Sequence, residues 1–359
     1  MIIDIHCHYT LSATAATPGE RFSFEPCGAH DAWDVDSCVA PRTLQRVSWR
    51  LMRRLLRLAP GAAPGPALDA DLARLYERHL FAPGPIERFV LLAFDWYHDP
   101  AGRRLPPPRT RFERGSDIYT SNTLIRRLCR KHPDRFLFGA SVHPYRENAV
   151  ACVDEVFSAG ACLLKWLPLH QNIDADDPRA RAVLRRCAEL GLPVLAHYGE
   201  EFTLATQHPE HRPARRFIEV LRSLRREGRM PPTIIAHVAT PVTPFGEQDS
   251  MQATIAALLD EFADAPLYAD ISALTVWGKV ALIRRLARRH ELHSKLLFGS
   301  DFPVPNADPV LRWMIGPRWR DIARNPSWPQ RAALACRHFG FGEIVFHRAA
   351  EWLPNVAPR

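Results

Sequence analysis

Short apolar runs recur along this chain, and from residue 133 onward they alternate with amphipathic stretches, leaving few residues over for connections. Apolar runs bounded by turn residues read as buried strands, and the stretches of helical period between them read as crossover helices. Strands are expected at 1–6, 86–94, 136–142, 161–167, 193–198, 233–238, 267–272 and 296–300. Helices are expected near 147–159, 178–190, 250–262 and 278–290, with another ending near 227. Pro178 opens the second of these and Gly191 closes it, in the usual cap positions. Eight strands alternating with helices predict an α/β chain folded as a (β/α)8 TIM barrel, one domain over residues 1–359.

The N-terminal third departs from this economy. Residues 9–85 separate the first two strands and a second insertion covers 99–117, against the usual two to six residues for such loops. Residues 41–58 read as one amphipathic helix. Leu44, Val47, Leu51, Leu55 and Leu58 would line one face, and Arg42, Arg46, Arg50, Arg53, Arg54 and Arg57 the other. The Pro/Gly/Ala segment 59–67 ends it, and a second helix is expected near 69–79. Both insertions leave from carboxyl ends of strands, so they should lie over that face as a helical lid or wall. A basic amphipathic helix also suits an anionic membrane surface or a partner protein.

Composition narrows the class. The chain is 47% hydrophobic and 24% charged, the balance of an ordinary globular protein. No apolar run approaches the roughly 18 residues needed to span a membrane. Nor does the sequence open with the charged and apolar regions of a secretion signal, so a cytoplasmic location is expected. Eight cysteines lie scattered without a Cys-X-X-Cys pair, which excludes a zinc-finger pattern and favours reduced thiols. The net charge is +8, yet Lys131, Lys165, Lys279 and Lys295 are the only lysines. With 32 prolines, this bias reads as G+C-rich coding rather than nucleic-acid binding. It makes Lys165, lodged inside an apolar strand, conspicuous, because a lysine facing a barrel interior needs a partner or a chemical task.

Six side chains that suit a divalent metal sit at or near strand ends: His6, His8, Lys165, His197, His237 and Asp301. In a parallel barrel those ends meet at one face. His6 and His8, two apart on a strand, point to the same side roughly 6.5 Å from each other. They can swing toward one ion at about 2.0–2.1 Å each. Asp4, one layer deeper, is expected to orient His6, and Cys7 to face the helices as packing. Such an ion with an open position lowers the pKa of bound water to about 7 and polarises a carbonyl. Asp301 suits both metal binding and proton shuttling. His237, if not a ligand, could donate to a developing oxyanion. Lys165 has two readings: a carbamate bridging two ions, or an ammonium pairing with Asp301 or with a substrate carboxylate.

Weaker candidates surround this set. Glu200 or Glu201 could contact substrate or start a helix. His143 could line the pocket or be a satisfied structural residue, while His170 and Gln171 could touch substrate. Asp270 is expected to hold a loop or a neighbouring side chain rather than perform chemistry. His30, Asp31, Asp34 and Asp36 form a polar cluster read as surface. Arg103, Arg104, Arg109, Arg111 and Arg114 could offer a carboxylate clamp, though solvated arginines are commoner.

The His-X-His strand and the segments Lys165-Trp166-Leu167-Pro168, His197-Tyr198-Gly199-Glu200-Glu201 and Phe298-Gly299-Ser300-Asp301-Phe302-Pro303 resemble the amidohydrolase superfamily. The nearer resemblance is to its amidohydrolase-2 branch, which includes aminocarboxymuconate-semialdehyde decarboxylase. It covers the first strand and about residues 133–305, not the insertions. It implies a (β/α)8 barrel and a metal, usually zinc, on His6, His8, His197 and Asp301. His237 would then be a general acid, a polarising group or a ligand of a second ion. The branch contains hydrolases of amides, esters and lactones, non-oxidative decarboxylases and hydratases, so it does not fix the reaction. The expected function is a metal-dependent hydrolase acting on a small amide, ester or lactone, with Zn2+ or another divalent metal as one or two ions. A metal-dependent decarboxylase on the same site is the alternative, and a non-catalytic binding barrel a third. The partner expected is a small-molecule substrate, not nucleic acid or membrane, and a homo-oligomer is compatible with all of this.

Overall fold

The computed structural model describes residues 1–25, 34–58, 61 and 63–356. Eight strands form one all-parallel sheet in chain order. They are β1 (Ile3–His8), β2 (Arg88–Leu92), β3 (Phe136–Ala140), β4 (Ala161–Trp166), β5 (Val194–Ala196), β6 (Thr233–Ile235), β7 (Leu267–Asp270) and β8 (Leu296–Leu297). Strands buried on both faces read as continuous apolar runs, which is why their positions were visible in the pattern. Beyond β8 the chain returns to β1. Ile5 N–H donates to the Phe298 carbonyl at 3.2 Å, and Asp301 N–H to the His6 carbonyl at 2.8 Å. The barrel is therefore nearly closed. Its interior is filled by one cluster containing Ile3, Ile5, Val90, Leu92, Leu163, Leu195, Ile234 and Leu297, with Leu353 and Val356 from the C-terminal end.

One expectation about β1 fails. Its register against β2 slips by one residue between Asp4 and Cys7, a bulge that breaks the simple alternation of sides. Asp4 falls opposite Phe89 instead of beneath His6, and its carboxylate accepts from the backbone N–H groups of His6 at 3.1 Å and Ser300 at 2.9 Å. It fastens the seam between first and last strands and leaves the His6 ring to another partner. Cys7 is packed in the outer core, as expected. The seven described cysteines are free thiols.

The insertion between β1 and β2 is not purely helical. Residues Ala13–Ala15 and Val35–Val39 pair antiparallel, and Ile118–Thr120 from the second insertion adds a third strand, with Ser37 opposite Thr120. The helix expected at 41–58 is broken into α1 (Pro41–Gln45) and α2 (Val47–Leu55) by Arg46, whose φ of −62° and ψ of 145° are extended. After the break, the stripe Trp49, Met52 and Leu56, spaced i, i+3, i+7, turns toward the barrel. Val47 and Leu51, expected on the buried face, are 78% and 52% exposed, while Arg42 and Arg53 are buried. Of the expected stripe, Leu58 is buried in the same cavity wall, while Leu51 and Leu55 border a second cavity from a more exposed position. Helix α3 (Pro66–Leu80) forms near its expected place. Residues 308–352 add helices that the pattern did not single out; Glu343–Trp352 packs on β1 and β8. No helix among the described residues is long and apolar enough to cross a membrane.

Asp117 ties the insertions together. Its Oδ1 accepts from Arg42 Nε at 2.7 Å and Thr43 Oγ1 at 2.6 Å, and its Oδ2 from the Ala205 N–H at 3.0 Å. Removing one partner of a buried pair leaves the other charge unpaired, at a cost of roughly 3–5 kcal/mol. Asp117→Ala should lower the stability measured by equilibrium urea unfolding by that order. A loss below about 1 kcal/mol would show that this carboxylate is not what holds α1 against the second insertion.

Candidate metal centre

All six of the expected ligand-type side chains line one cavity of about 840 Å³ at the carboxyl ends of the strands: His6, His8, Lys165, His197, His237 and Asp301. Strand β1 carries His6 and His8, and β4 carries Lys165. The other three sit past their strands, because β5, β6 and β8 stop at Ala196, Ile235 and Leu297. His237, Val238 and Ala239 have φ of 55°, 53° and 48°, and Asp301 has φ of 63°. Left-handed backbone costs roughly 1–2 kcal/mol per residue outside glycine, and it ends a strand at once. Hydrogen bonds hold these turns: His237 N–H donates to Asp270 Oδ1 at 2.8 Å, and Thr240 N–H to the His237 carbonyl at 2.9 Å. Gly199 packs against the strained turn, where a Cβ would lie 2.8 Å from the Ala239 carbonyl oxygen.

The centre is tight. Asp301 Oδ1 lies 3.1 Å from His8 Nε2 and 3.5 Å from His6 Nε2, and Lys165 Nζ lies 3.1 Å from His6 Nε2. His6 and His237 stack with ring centroids 4.9 Å apart, and His197 meets His237 edge-on at 5.0 Å. Behind the rings, His6 Nδ1 is 2.8 Å from Asp270 Oδ2. His237 Nδ1 is 2.7 Å from Ser272 Oγ and 3.2 Å from the Ser272 carbonyl. The Ser272 hydroxyl in turn donates to Asp270 Oδ1. A carboxylate and a carbonyl only accept, so both Nδ1 atoms carry the proton. Both Nε2 atoms therefore turn lone pairs toward the cavity, the tautomer a metal requires.

Electrostatics fix the charge state. Burial lowers the basicity of His6, His8, His197 and His237 below the ordinary 6.5, so all four rings are uncharged at neutral pH. His197 Nε2 is buried at ion-pair distance, 3.3 Å, from Glu201 Oε2, and has no hydrogen-bond partner among the described residues. Burial draws the Lys165 ammonium down to about 8, against the carboxylates of Asp270, Asp301 and Glu201. Burial also pushes the Asp4 carboxyl up to about 7. Neutral imidazoles, one aspartate and an orphaned ring nitrogen fit a borderline divalent ion. The ligand atoms of His6, His8 and Asp301 all lie within 4.8 Å of one another. A second cluster, His6, His237 and Asp270, is the supporting ring behind the first, engaged internally through Ser272.

Several weaker candidates resolve as structural. His143 Nε2 donates to the Gln171 carbonyl at 2.6 Å, and its Nδ1 accepts from Tyr145 N–H. Gln171 binds the Leu167 N–H and the Asp95 carbonyl. His170 is only half accounted for: its Nδ1 is held by the Ala205 carbonyl at 2.6 Å, and its buried Nε2 has no hydrogen-bond partner among the described residues. None of the five arginines of the second insertion lines the metal cavity, and Arg103 pairs with Asp99. Asp36 binds Arg21 at 2.7 Å; His30 and Asp31 lie outside the described residues. No helix starts at Glu200 or Glu201. Glu201 instead faces His197, and despite burial its carboxyl is held below the usual range by that imidazole and His170. Lys279 was missed. It lines an adjoining cavity with His197, His237 and Asp301, and the scarcity of lysine was the available signal.

Fold and site together define a (β/α)8 barrel with side chains that could hold a metal gathered at its carboxyl face. The amidohydrolase family model matches residues 3–321, and the chain belongs to that family. Members typically bind a divalent metal. A search of curated proteins finds no match to this sequence. Among solved structures, an uncharacterised TIM-barrel protein from Bordetella bronchiseptica is 17% identical with a TM-score of 0.54, covering 98% of this chain and 96% of that one. A probable 2-pyrone-4,6-dicarboxylic acid hydrolase from Acinetobacter baumannii, with citric acid bound, is 14% identical with a TM-score of 0.50, covering 98% of both chains. A 5-carboxyvanillate decarboxylase from Novosphingobium aromaticivorans with bound manganese is 10% identical with a TM-score of 0.49, covering 98% of this chain and 96% of that one. At such identities the likeness shows the fold alone, and hydrolases and decarboxylases both occur among these neighbours.

Partners that orient a metal-binding histidine typically contribute 10–100-fold to metal affinity. Asp270→Asn should therefore weaken metal retention by about that factor in competition with a chelator, with far-UV circular dichroism unchanged. Unaltered retention would mean that the Asp270 contact does not orient His6.

Proposed function

We propose that this chain is a metal-dependent hydrolase in which His6, His8, His197 and Asp301 hold a divalent ion, zinc by the preference of the donor set. The observation that carries this reading is the convergence of uncharged Nε2 atoms from His6 and His8 on Asp301, beside the orphaned Nε2 of His197. When bound, such an ion supplies a nucleophilic water near neutral pH and polarises a carbonyl. Asp301 accepts the proton of the attacking water and returns it to the leaving group. His237 turns a lone pair toward the cavity, so an oxyanion donor is better supplied by the Lys165 ammonium in the same cavity wall. The insertion helices wall the site and set which substrates enter. Substrates are small amides, esters or lactones.

A decarboxylase on the same residues is the second reading. It is favoured by Lys279, a cavity-lining ammonium suited to a substrate that brings its own carboxylate. Release of CO2 from hydroxybenzoates, against acid release from esters and lactones, separates the two.

Elemental analysis should find about one divalent ion per chain, falling close to zero in His197→Ala and Asp301→Ala. Two ions per chain would assign Lys165 as a carbamate and His237 as a ligand. Metal-dependent turnover retained in either alanine variant would remove the basis of the assignment. Lys165→Met should keep the ion and lose at least about 100-fold in kcat, the usual scale for one oxyanion donor.

A further inference from the structure

The cavity at the metal centre has two lobes, both lined largely by apolar side chains. In the first, Trp49, Met52, Leu56 and Leu72 from the insertion face Phe94 and Leu167 from the barrel side. The second, of about 1000 Å³, shares Met52, His197, Glu201, His237 and Asp301 with the first, and Lys279 lies in its wall. The imidazole and carboxylate cluster therefore stands where the two lobes meet.

Lys279 is only 7% exposed, and among the described residues it makes no hydrogen bond or close ion pair. Of the other two buried lysines, Lys295 donates to the carbonyls of Phe262 and Ala265 at 2.8 Å each, and Lys165 Nζ lies 3.1 Å from His6 Nε2. Four carboxylates act on Lys279 from a distance, and most of their oxygens are engaged elsewhere. Asp301 faces His8, and Asp270 holds His6, the His237 N–H and Ser272. Glu201 accepts from Thr203 and Leu204 N–H, and Glu200 from Val242 and Glu247 N–H. A buried ammonium without a contact partner is expensive, and a ligand carrying the counter-charge removes the cost.

We propose that the site takes an amphiphilic anion, its apolar body in the insertion-walled lobe and its carboxylate on Lys279. The reacting bond then lies between them, against the His–Asp cluster. That last placement rests on the function proposed above; the binding mode does not.

Straight-chain carboxylates from butyrate to octanoate, with octan-1-ol as the uncharged control, test this by isothermal titration calorimetry on protein of measured metal content. Affinity should rise roughly three- to four-fold per added methylene. Octanoate should bind at least about ten-fold more tightly than octan-1-ol, the effect of one charge-assisted contact. Lys279→Met should abolish that advantage and leave octan-1-ol binding unchanged, and Lys279→Arg should restore most of it. An octanoate advantage that survives Lys279→Met places the carboxylate elsewhere and overturns the proposal, as does a flat chain-length series in the native protein. Metal-loaded protein with a flat series sinks this proposal alone. A rising, Lys279-dependent series in protein that holds no metal sinks the hydrolase and leaves this binding mode standing.

Discussion

The seam where the eighth strand meets the first is the constraint on which the site depends. Asp301 reaches His6 and His8 because its own N–H donates to the His6 carbonyl, and that bond forms only if the barrel closes. Asp4 secures the same seam from the other side, binding the N–H groups of His6 and Ser300 with a single oxygen. Residues almost three hundred positions apart thus share one short stretch of backbone pairing. The left-handed Asp301 is tolerable there because the surrounding bonds leave it no alternative.

A second layer converts this placement into chemistry. Four imidazoles within a few ångströms would repel one another if charged. Burial keeps them neutral, and Asp270 with Ser272 selects which nitrogen carries the proton in His6 and His237. The same burial brings Lys165 to a basicity near neutrality, where its free amine and its ammonium are both accessible. In His6 and His237 the proton is held behind the ring and the lone pair is turned to the cavity.

The barrel and the six converging side chains were legible because parallel strands buried on both sides leave unbroken apolar runs, and polar residues at their ends stand out. What escaped notice has no local signature. The bulge after Asp4 depends on pairing with β2, and the left-handed turn at His237 on Asp270, which lies in another strand. The break at Arg46 interrupts an arginine-rich stretch with neither Pro nor Gly. The face that α2 buries most deeply carries Met52 and Leu56, with Trp49 beside them, while Leu51 and Leu55 of the stripe that periodicity favoured border the second cavity. The antiparallel strand pairing of the two insertions joins segments some eighty residues apart. Lys279 sat in plain view as one lysine of four, but nothing near it in the chain marks it as facing the centre.

The split between barrel and insertion has an evolutionary corollary. Every presumed ion-holding side chain comes from the strand framework, whereas half of the apolar chamber comes from the long detour between β1 and β2. Mutation within that detour can reshape what is admitted while the reactive machinery is inherited intact. Descendants of such a gene would be expected to diverge in diet before they diverge in chemistry.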